Sequence, residues 1–395
     1  MTEEVKEGWK KVRFSDLVII NPKISLEKGK EYPFIEMEDL SPGNRYVSST
    51  KKRVFKGGGS KFMMGDVLFA RITPSLENGK IAQVKHTAIK GFGSTEFFVF
   101  RYREGISDSS FIYYLSFSDI IRKPAEKSMF GASGRQRADL NVVQDLEMGV
   151  PPVRTQRKIA AILSAYDDLI ENNTRGIKIL EEMVQTIYRE WFVKFRFSGY
   201  EKVKMVYSEL GHIPEGWEVK RLGDVVELAY GKALKKDDRR NGSFPVYGSS
   251  GVVGHHNEYL VQGPGSIVGR KGNVGSVFWS QKSFYPIDTV FFVKTNVSLY
   301  YAYSNLKEQN FVNTDAAVPG LSRNQAYLNK FLLPSNDILH PFEEFIFPIF
   351  TQIEKLQSQI ENLCRTRDLL LPKLISGEID VAEIDLNVKN IVVES

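Results

Sequence analysis

The chain contains two copies of one pattern, and that duplication constrains its fold more than any other feature. Gly8-Trp9-Lys10-Lys11-Val12-Arg13-Phe14-Ser15-Asp16-Leu17-Val18 returns as Gly216-Trp217-Glu218-Val219-Lys220-Arg221-Leu222-Gly223-Asp224-Val225-Val226, a shift of 208 positions from Trp9 to Trp217. Gly65-Asp66-Val67-Leu68-Phe69-Ala70-Arg71 is echoed by Gly265-Ser266-Ile267-Val268-Gly269-Arg270. Glu96-Phe97-Phe98-Val99-Phe100 is echoed by Thr289-Val290-Phe291-Phe292-Val293, and Gly134-Arg135-Gln136-Arg137 by Gly320-Leu321-Ser322-Arg323. The drifting offset implies loops of unequal length. Two repeats of this size form a tandem pair of domains, not a solenoid.

Each copy closes with a long helical pattern. Apolar spacings of four and three alternate through Ile159, Leu163, Tyr166, Ile170, Asn173, Ile177, Leu180, Val184, Ile187 and Trp191. The same alternation runs through Phe342, Ile346, Ile349, Ile353, Leu356, Ile360, Leu363, Arg367, Leu370 and Leu374. A sustained period of seven is the mark of a coiled-coil seam, since a straight helix drifts from that period. Shifting by 190 lays Ile159–Val184 on Ile349–Leu374. Asn173 and Arg367 are polar positions on the seam, with two open roles: fixing register, or lying where packing is loose. Pro372 is expected to kink or end the second helix near Gly377, and Pro348 to start it in two pieces. The segments before each helix read as mixed α/β. Strands are expected at Val67–Ala70, Phe97–Arg101, Ser266–Val268 and Val290–Val293, and short helices at Ser109–Ser118 and Ser298–Gln309.

An enzymatic site cannot be assembled from the sequence. There is no Gly-x-x-x-x-Gly-Lys-Ser/Thr phosphate loop, and Gly131-Ala132-Ser133-Gly134 lacks the partners of a dinucleotide motif. The single cysteine, Cys364, excludes an intrachain disulfide and multi-thiolate zinc. His255-His256 is expected in a loop rather than at a metal. Glu4-Val5-Lys6 and Glu218-Val219-Lys220 lack the Pro-Asp of nuclease sites and read as surface charge. No apolar run approaches the ~18 residues of a membrane span, and Met1–Lys11 has no apolar core, so a cytoplasmic protein is expected.

The net charge of +5 is small, but its distribution is uneven. Residues 1–150 carry +5, 151–200 carry +2, 201–340 carry +3 and 341–395 carry −5. The basic excess sits with loop donors. The first copy has Arg45, Lys51, Lys52, Arg53, Lys56, Arg71, Lys80, Arg135, Gln136 and Arg137. The second has Lys235, Lys236, Arg239, Arg240, Arg270, Lys271, Asn273, Arg323, Asn324 and Gln325, interleaved with Tyr247, Ser249 and Ser250. Lys and Arg neutralise phosphates, while Arg, Asn and Gln grip base edges with two hydrogen bonds.

Four stretches resemble the specificity subunit of Type I restriction-modification enzymes: Tyr188-Arg189-Glu190-Trp191-Phe192-Val193-Lys194-Phe195, Ser208 to Leu222, Leu371-Pro372-Lys373-Leu374-Ile375-Ser376-Gly377-Glu378-Ile379, and Val150 to Ile159 with Gln156. One departure is that Gln156 falls on Ile346 at the offset of 190, so the second copy lacks this glutamine. The resemblance implies an α+β chain with a pseudo-twofold internal repeat. Two globular mixed α/β target-recognition domains (1–152 and 201–340) are separated by two long antiparallel coiled-coil helices (153–200 with its linker, and 341–378), and an acidic tail follows at 379–395. It implies a non-catalytic subunit that binds double-stranded DNA at a bipartite target and docks methylation (M) and restriction/translocase (R) subunits. This chain would bind no cofactor or metal itself; S-adenosylmethionine, ATP and Mg would belong to the partners. A helix from Ile159 to Trp191 would be about 50 Å long, a ruler of one to two turns of duplex. The alternatives are a non-catalytic coiled-coil scaffold, or a recognition subunit of a related methyltransferase or nuclease system with a cryptic catalytic site.

Arg71, Lys80, Arg135, Arg137, Lys235, Ser249, Arg270, Lys271, Asn273 and Arg323 are the candidate DNA contacts. Arg71 and Arg137 are paired with Arg270 and Arg323 as matching positions of the two copies. Arg154, Arg157, Asp167 and Glu171 are expected on the outer helix face as partner contacts, while Trp191 and Phe192 are expected to pack against the start of the second domain.

Overall fold

The computed structural model describes residues 6–49, 51–85, 90–132, 134–312 and 320–385. Glu4, Val5, Ser133 and the acidic tail after Asp385 lie outside them. The chain divides into two units, Met1–Thr174 with Ser358–Ser395, and Arg175–Gln357. The division runs through both long helices, Val153–Tyr188 and Asn336–Ser376.

In the first unit, strands Lys10–Arg13 and Glu147–Val150 pair antiparallel where the chain enters and leaves the globular part. Between them lies a sheet in the order Val18–Ile20, Phe97–Tyr102, Val67–Ala70, Ile81–Val84, Tyr46–Val47. All four residues of Val67–Ala70 are buried, because both faces of the sheet are covered. Val67, Phe69, Phe98 and Phe100 face a core shared with Phe111, Ile159, Leu163 and Leu374. Leu68, Phe97 and Val99 face Ile35 and Phe62 of a second sheet. That sheet has the order Lys52–Val54, Glu31–Ile35, Lys90–Gly93, Ser60–Met63. Helix Ser109–Phe117 is capped by the Asp108 carboxylate, which accepts the N–H groups of Ser110 and Phe111 at 3.0 Å each.

The second unit repeats this frame. Glu218–Arg221 pairs with Lys330–Leu333. The main sheet runs Val226–Tyr230, Val290–Thr295, Gly265–Gly269, Val277–Ser280, and a smaller sheet joins Gly251–His256, Phe244–Gly248 and Tyr285–Pro286. Helix Leu299–Glu308 is capped by Ser298. The strands and short helices expected from periodicity fall where the sequence places them, with ends shifted by one or two residues.

The long helices pair antiparallel within each unit. In the first, Asn173 Nδ2 donates to Gln359 Oε1 at 3.3 Å and Arg367 bonds Asp167. In the second, a Cβ on Gly176 would meet Leu356 at 3.4 Å, and Trp191 packs on Phe342.

Three expectations are corrected. Asn336–Ser376 is one uninterrupted helix through Pro341, Pro348 and Pro372, so it does not start in two pieces at Pro348, while its end just before Gly377 is where the sequence places it. Each proline removes a single N–H. Phe342, Ile346 and Phe350 anchor this helix in one core, and Leu371, Leu374 and Ile375 in another. It ends where Gly377 adopts φ +79°, the left-handed conformation of a helix C-terminus. The offset between the helices is also smaller than 190. Each starts three residues after matched strands, at Val153 after Val150 and at Asn336 after Leu333, which gives 183. Buried Gln156, Ile159, Leu163, Asp167 and Ile170 then match buried Leu339, Phe342, Ile346, Phe350 and Ile353. The seam alignment is therefore one heptad too long, and Gln156 corresponds to Leu339. Gln156 has structural work that Leu339 does not. Its Oε1 accepts the Asp108 N–H at 3.0 Å, and its Nε2 donates to the carbonyls of Ile106 and Pro151. Finally, His255-His256 lies in strand Gly251–His256, not a loop. His256 is buried and its Nδ1 accepts the Arg240 N–H, while His255 is exposed on the other face.

Candidate nucleic-acid interface

Strand Val67–Ala70 delivers Arg71 to the surface. The Arg71 N–H donates to the Glu96 carbonyl at 3.0 Å, and its carbonyl accepts the Ala138 N–H at 2.8 Å. Strand Gly265–Gly269 delivers Arg270 in the same way, through the Thr289 carbonyl at 2.9 Å and the Leu321 N–H at 2.8 Å. Arg71 and Arg270 thus occupy one position of the repeated frame. The same bonds correct the other pairing. Ala138 matches Leu321, so Arg137 matches Gly320, and Arg323 matches Leu140, the first residue of helix Leu140–Gln144. Unequal loops hid this shift of three residues.

The two arginine pairs also differ in what holds them. In the first unit both guanidinium groups converge on Glu96. Arg137 donates through Nε at 2.9 Å and Nη2 at 2.7 Å, and Arg71 through Nε at 3.3 Å. The hydrogen bonds from Arg137 hold the Glu96 carboxyl below the usual carboxylate range. In the second unit no carboxylate among the described residues pairs with either arginine. The guanidinium carbons of Arg270 and Arg323 lie 4.8 and 5.0 Å from the centre of the Tyr230 ring, and Arg270 Nη1 donates to the Asp288 carbonyl at 3.1 Å. These are cation–π contacts.

The other candidates spread around these centres. Arg135, Lys235, Lys271 and Asn273 are exposed, and their side chains have no partner among the described residues. Lys80 is committed to the Met37 carbonyl at 2.7 Å. Ser249 is half-buried, and its carbonyl accepts the Ser276 hydroxyl at 2.8 Å. Several loop donors are structural instead. Arg45 is buried and bonds Gln83, Ser110, Ser164 and Tyr114. Lys51 and Arg53 pair with Glu36, and Arg239 donates to the Val253 carbonyl.

On the first long helix, Arg154 and Arg157 are exposed as expected. Asp167 is not. It is 5% exposed and forms an ion pair with Arg367 at 2.5 Å. Here the helix faces both its partner helix and the globular body, so its buried stripe is wider than the seam alone. Glu171 is partly covered by Lys85 at 3.0 Å. Trp191 and Phe192 pack as expected, Phe192 lying 5.8 Å from Trp217. Among the described residues no group of three His, Cys, Asp or Glu side chains is placed to hold a metal, and no helix is long and apolar enough to cross a membrane. Glu96 and Tyr230 were not anticipated; the sequence signal for each is only its place at the end of a sheet strand.

The profile of the Type I restriction modification DNA specificity domain matches residues 6–182 and again 214–362. The chain belongs to this family. The two matched segments start 208 positions apart, the offset between the two tryptophans. The Type I restriction enzyme MjaIX specificity subunit of Methanocaldococcus jannaschii is 26% identical, over 92% of this chain and 90% of that protein. The HindI specificity subunit of Haemophilus influenzae is 24% identical, over 80% and 86%. A crystal structure of a Type I restriction-modification S subunit from M. genitalium covers 95% of this chain and 97% of its own at 18% identity, with a TM-score of 0.46. As a specificity subunit the chain is a DNA-recognition component with two repeated recognition domains, and it is not the catalytic part of its system.

Proposed function

We propose that target-recognition domains 1–152 and 201–340 each read one half of a split duplex target, with Arg71, Lys80, Arg135 and Arg137 serving one half-site and Lys235, Ser249, Arg270, Lys271, Asn273 and Arg323 the other. The observation that carries this reading is the repeated strand end. Arg71 and Arg270 leave equivalent backbone positions, and the candidate cations Arg135, Lys235 and Lys271 are exposed with no carboxylate partner among the described residues. Cations of this kind neutralise phosphates, and a guanidinium freed from its local partner grips a base edge. Methylation subunits dock on the outer faces of the long helices, at Arg154, Arg157 and Glu171. Restriction subunits join that assembly, which works in the cytoplasm with S-adenosylmethionine, ATP and Mg bound by the partners.

Arg270→Ala, assayed with the methylation partner, is expected to cost about 1–3 kcal/mol of binding and to change preference in one half-site only. Uniform weakening across sequences marks a phosphate contact instead, and unchanged binding refutes the assignment. Inserting one heptad into each long helix adds about 10 Å, which should lengthen the gap in the methylated target by about three base pairs. An unchanged gap refutes the ruler.

A further inference from the structure

A seam that repeats every seven residues leaves its own register ambiguous. Sliding one helix by a heptad again sets apolar residues against apolar ones. The two long helices carry that ambiguity in sequence, since the apolar pattern of one lies on that of the other both at a shift of 190 and at 183, the distance between their first residues. A purely apolar seam therefore does not select one register, and something else must.

The first unit holds the group that can. Asp167 and Arg367 are 5% and 4% exposed. Arg367 Nη1 lies 2.5 Å from Asp167 Oδ1 and also donates to the Gly43 carbonyl at 3.0 Å. Asp167 Oδ2 accepts the Tyr114 hydroxyl at 2.5 Å. Burial alone would lower the proton affinity of Arg367, but Asp167 and Asp368 more than reverse that, so the guanidinium stays charged. In antiparallel helices a slip of seven would set Asp167 against Ile360 or Leu374, and Arg367 against Ala160 or Thr174. Asp167 would lose its guanidinium partner, and Arg367 would keep only the largely exposed Asp368 of its two carboxylates, which is costlier than a mismatch of apolar shapes. The structurally matched residue in the second unit is Phe350, packed on Trp279, Tyr300 and Tyr303, so that seam carries no such mark.

We propose that Asp167 and Arg367 are positioning residues that lock the heptad register of the two long helices, and thereby the single gap of the target. The second half of this statement rests on the split-target reading; the first does not.

The test reads register by disulfide trapping in the full chain with Cys364→Ser. Asn173→Cys is paired with Gln359→Cys for the native register, and with Thr366→Cys or Gln352→Cys for slips in either direction. With Asp167 and Arg367 in place, only the 359 pair should cross-link. With Asp167→Leu and Arg367→Leu, the 366 or 352 pair should trap a tenth or more of the chain. Methylation mapping, done with the methylation partner and without the cysteine substitutions, should then show a second gap length about three base pairs from the first. Cross-linking confined to the 359 pair in the doubly substituted chain overturns the lock. A trapped slip with one unchanged gap supports the lock and overturns the split-target ruler.

Discussion

Asp167→Ala should destabilise the first unit severely, for a reason that a companion variant isolates. The substitution removes the ion pair to Arg367 and the acceptor of the Tyr114 hydroxyl. Arg367 stays buried and charged, keeping the Gly43 carbonyl and the largely exposed Asp368, 2.9 Å away. Breaking a buried pair from one side costs about 3–5 kcal/mol, and the surviving contact to Asp368 places this case near the lower end, about 3 kcal/mol. For a unit of roughly 200 residues that corresponds to about 6–12 °C in Tm. Asp167→Leu with Arg367→Leu removes both charges and should leave stability unchanged, or raise it by about 1–4 kcal/mol. Calorimetric unfolding of the full chain measures both. A loss below about 1 kcal/mol for Asp167→Ala refutes the claim that an unpaired buried charge is created. A double variant as unstable as the single one refutes it differently, by tracing the loss to packing.

Phe192→Ala should cost about 3–5 kcal/mol in urea unfolding, because the ring lies 4.7 Å from Tyr301, 4.8 Å from Phe342 and 5.8 Å from Trp217. Gln156→Leu, which imitates the matched Leu339, should cost about 1–3 kcal/mol by leaving the Asp108 N–H and two carbonyls without partners. The depressed Glu96 carboxyl contributes stability that is full above the unfolded value of about 4.3 and is lost as pH falls through the lower folded value. Glu96→Gln should flatten that part of the stability–pH curve, and an unchanged acid limb in pH-dependent melts would remove Glu96 from the account.

Regular elements were legible because periodicity reports burial. Val67–Ala70 reads as a doubly covered strand from four consecutive apolar residues, and the long helices from an unbroken alternation of four and three. The misses share a physical cause, which is contact between segments distant in sequence. Asp167 looks outward on a helix considered alone, yet Tyr114, 53 positions earlier, and Arg367, 200 positions later, enclose it. Arg45 has the composition of a loop donor, but Gln83 and Ser164 draw it inside. Glu96 lies 41 positions before Arg137, and the bond between them has no local signature.

The correct match of Arg71 with Arg270, beside the incorrect match of Arg137 with Arg323, shows which parts of the duplication are bound to persist. The first pair is fixed by main-chain bonds to Glu96 and Ala138, and to Thr289 and Leu321, bonds that the backbone of any residue but proline can supply. The frame therefore survives substitution at those positions. The surroundings of each guanidinium vary between the units: the Glu96 carboxylate in one, and among the described residues of the other the Tyr230 ring with the Asp288 carbonyl. A guanidinium bonded to a carboxylate must exchange a charged partner for a phosphate or base, whereas Arg270, resting on an aromatic ring, has a neutral carbonyl to give up. With equal numbers of new contacts, the second unit should thus bind DNA with less to give up. Arg270→Ala should then weaken binding more than Arg71→Ala under identical salt, and the reverse order would show that release of Glu96 is not a significant cost.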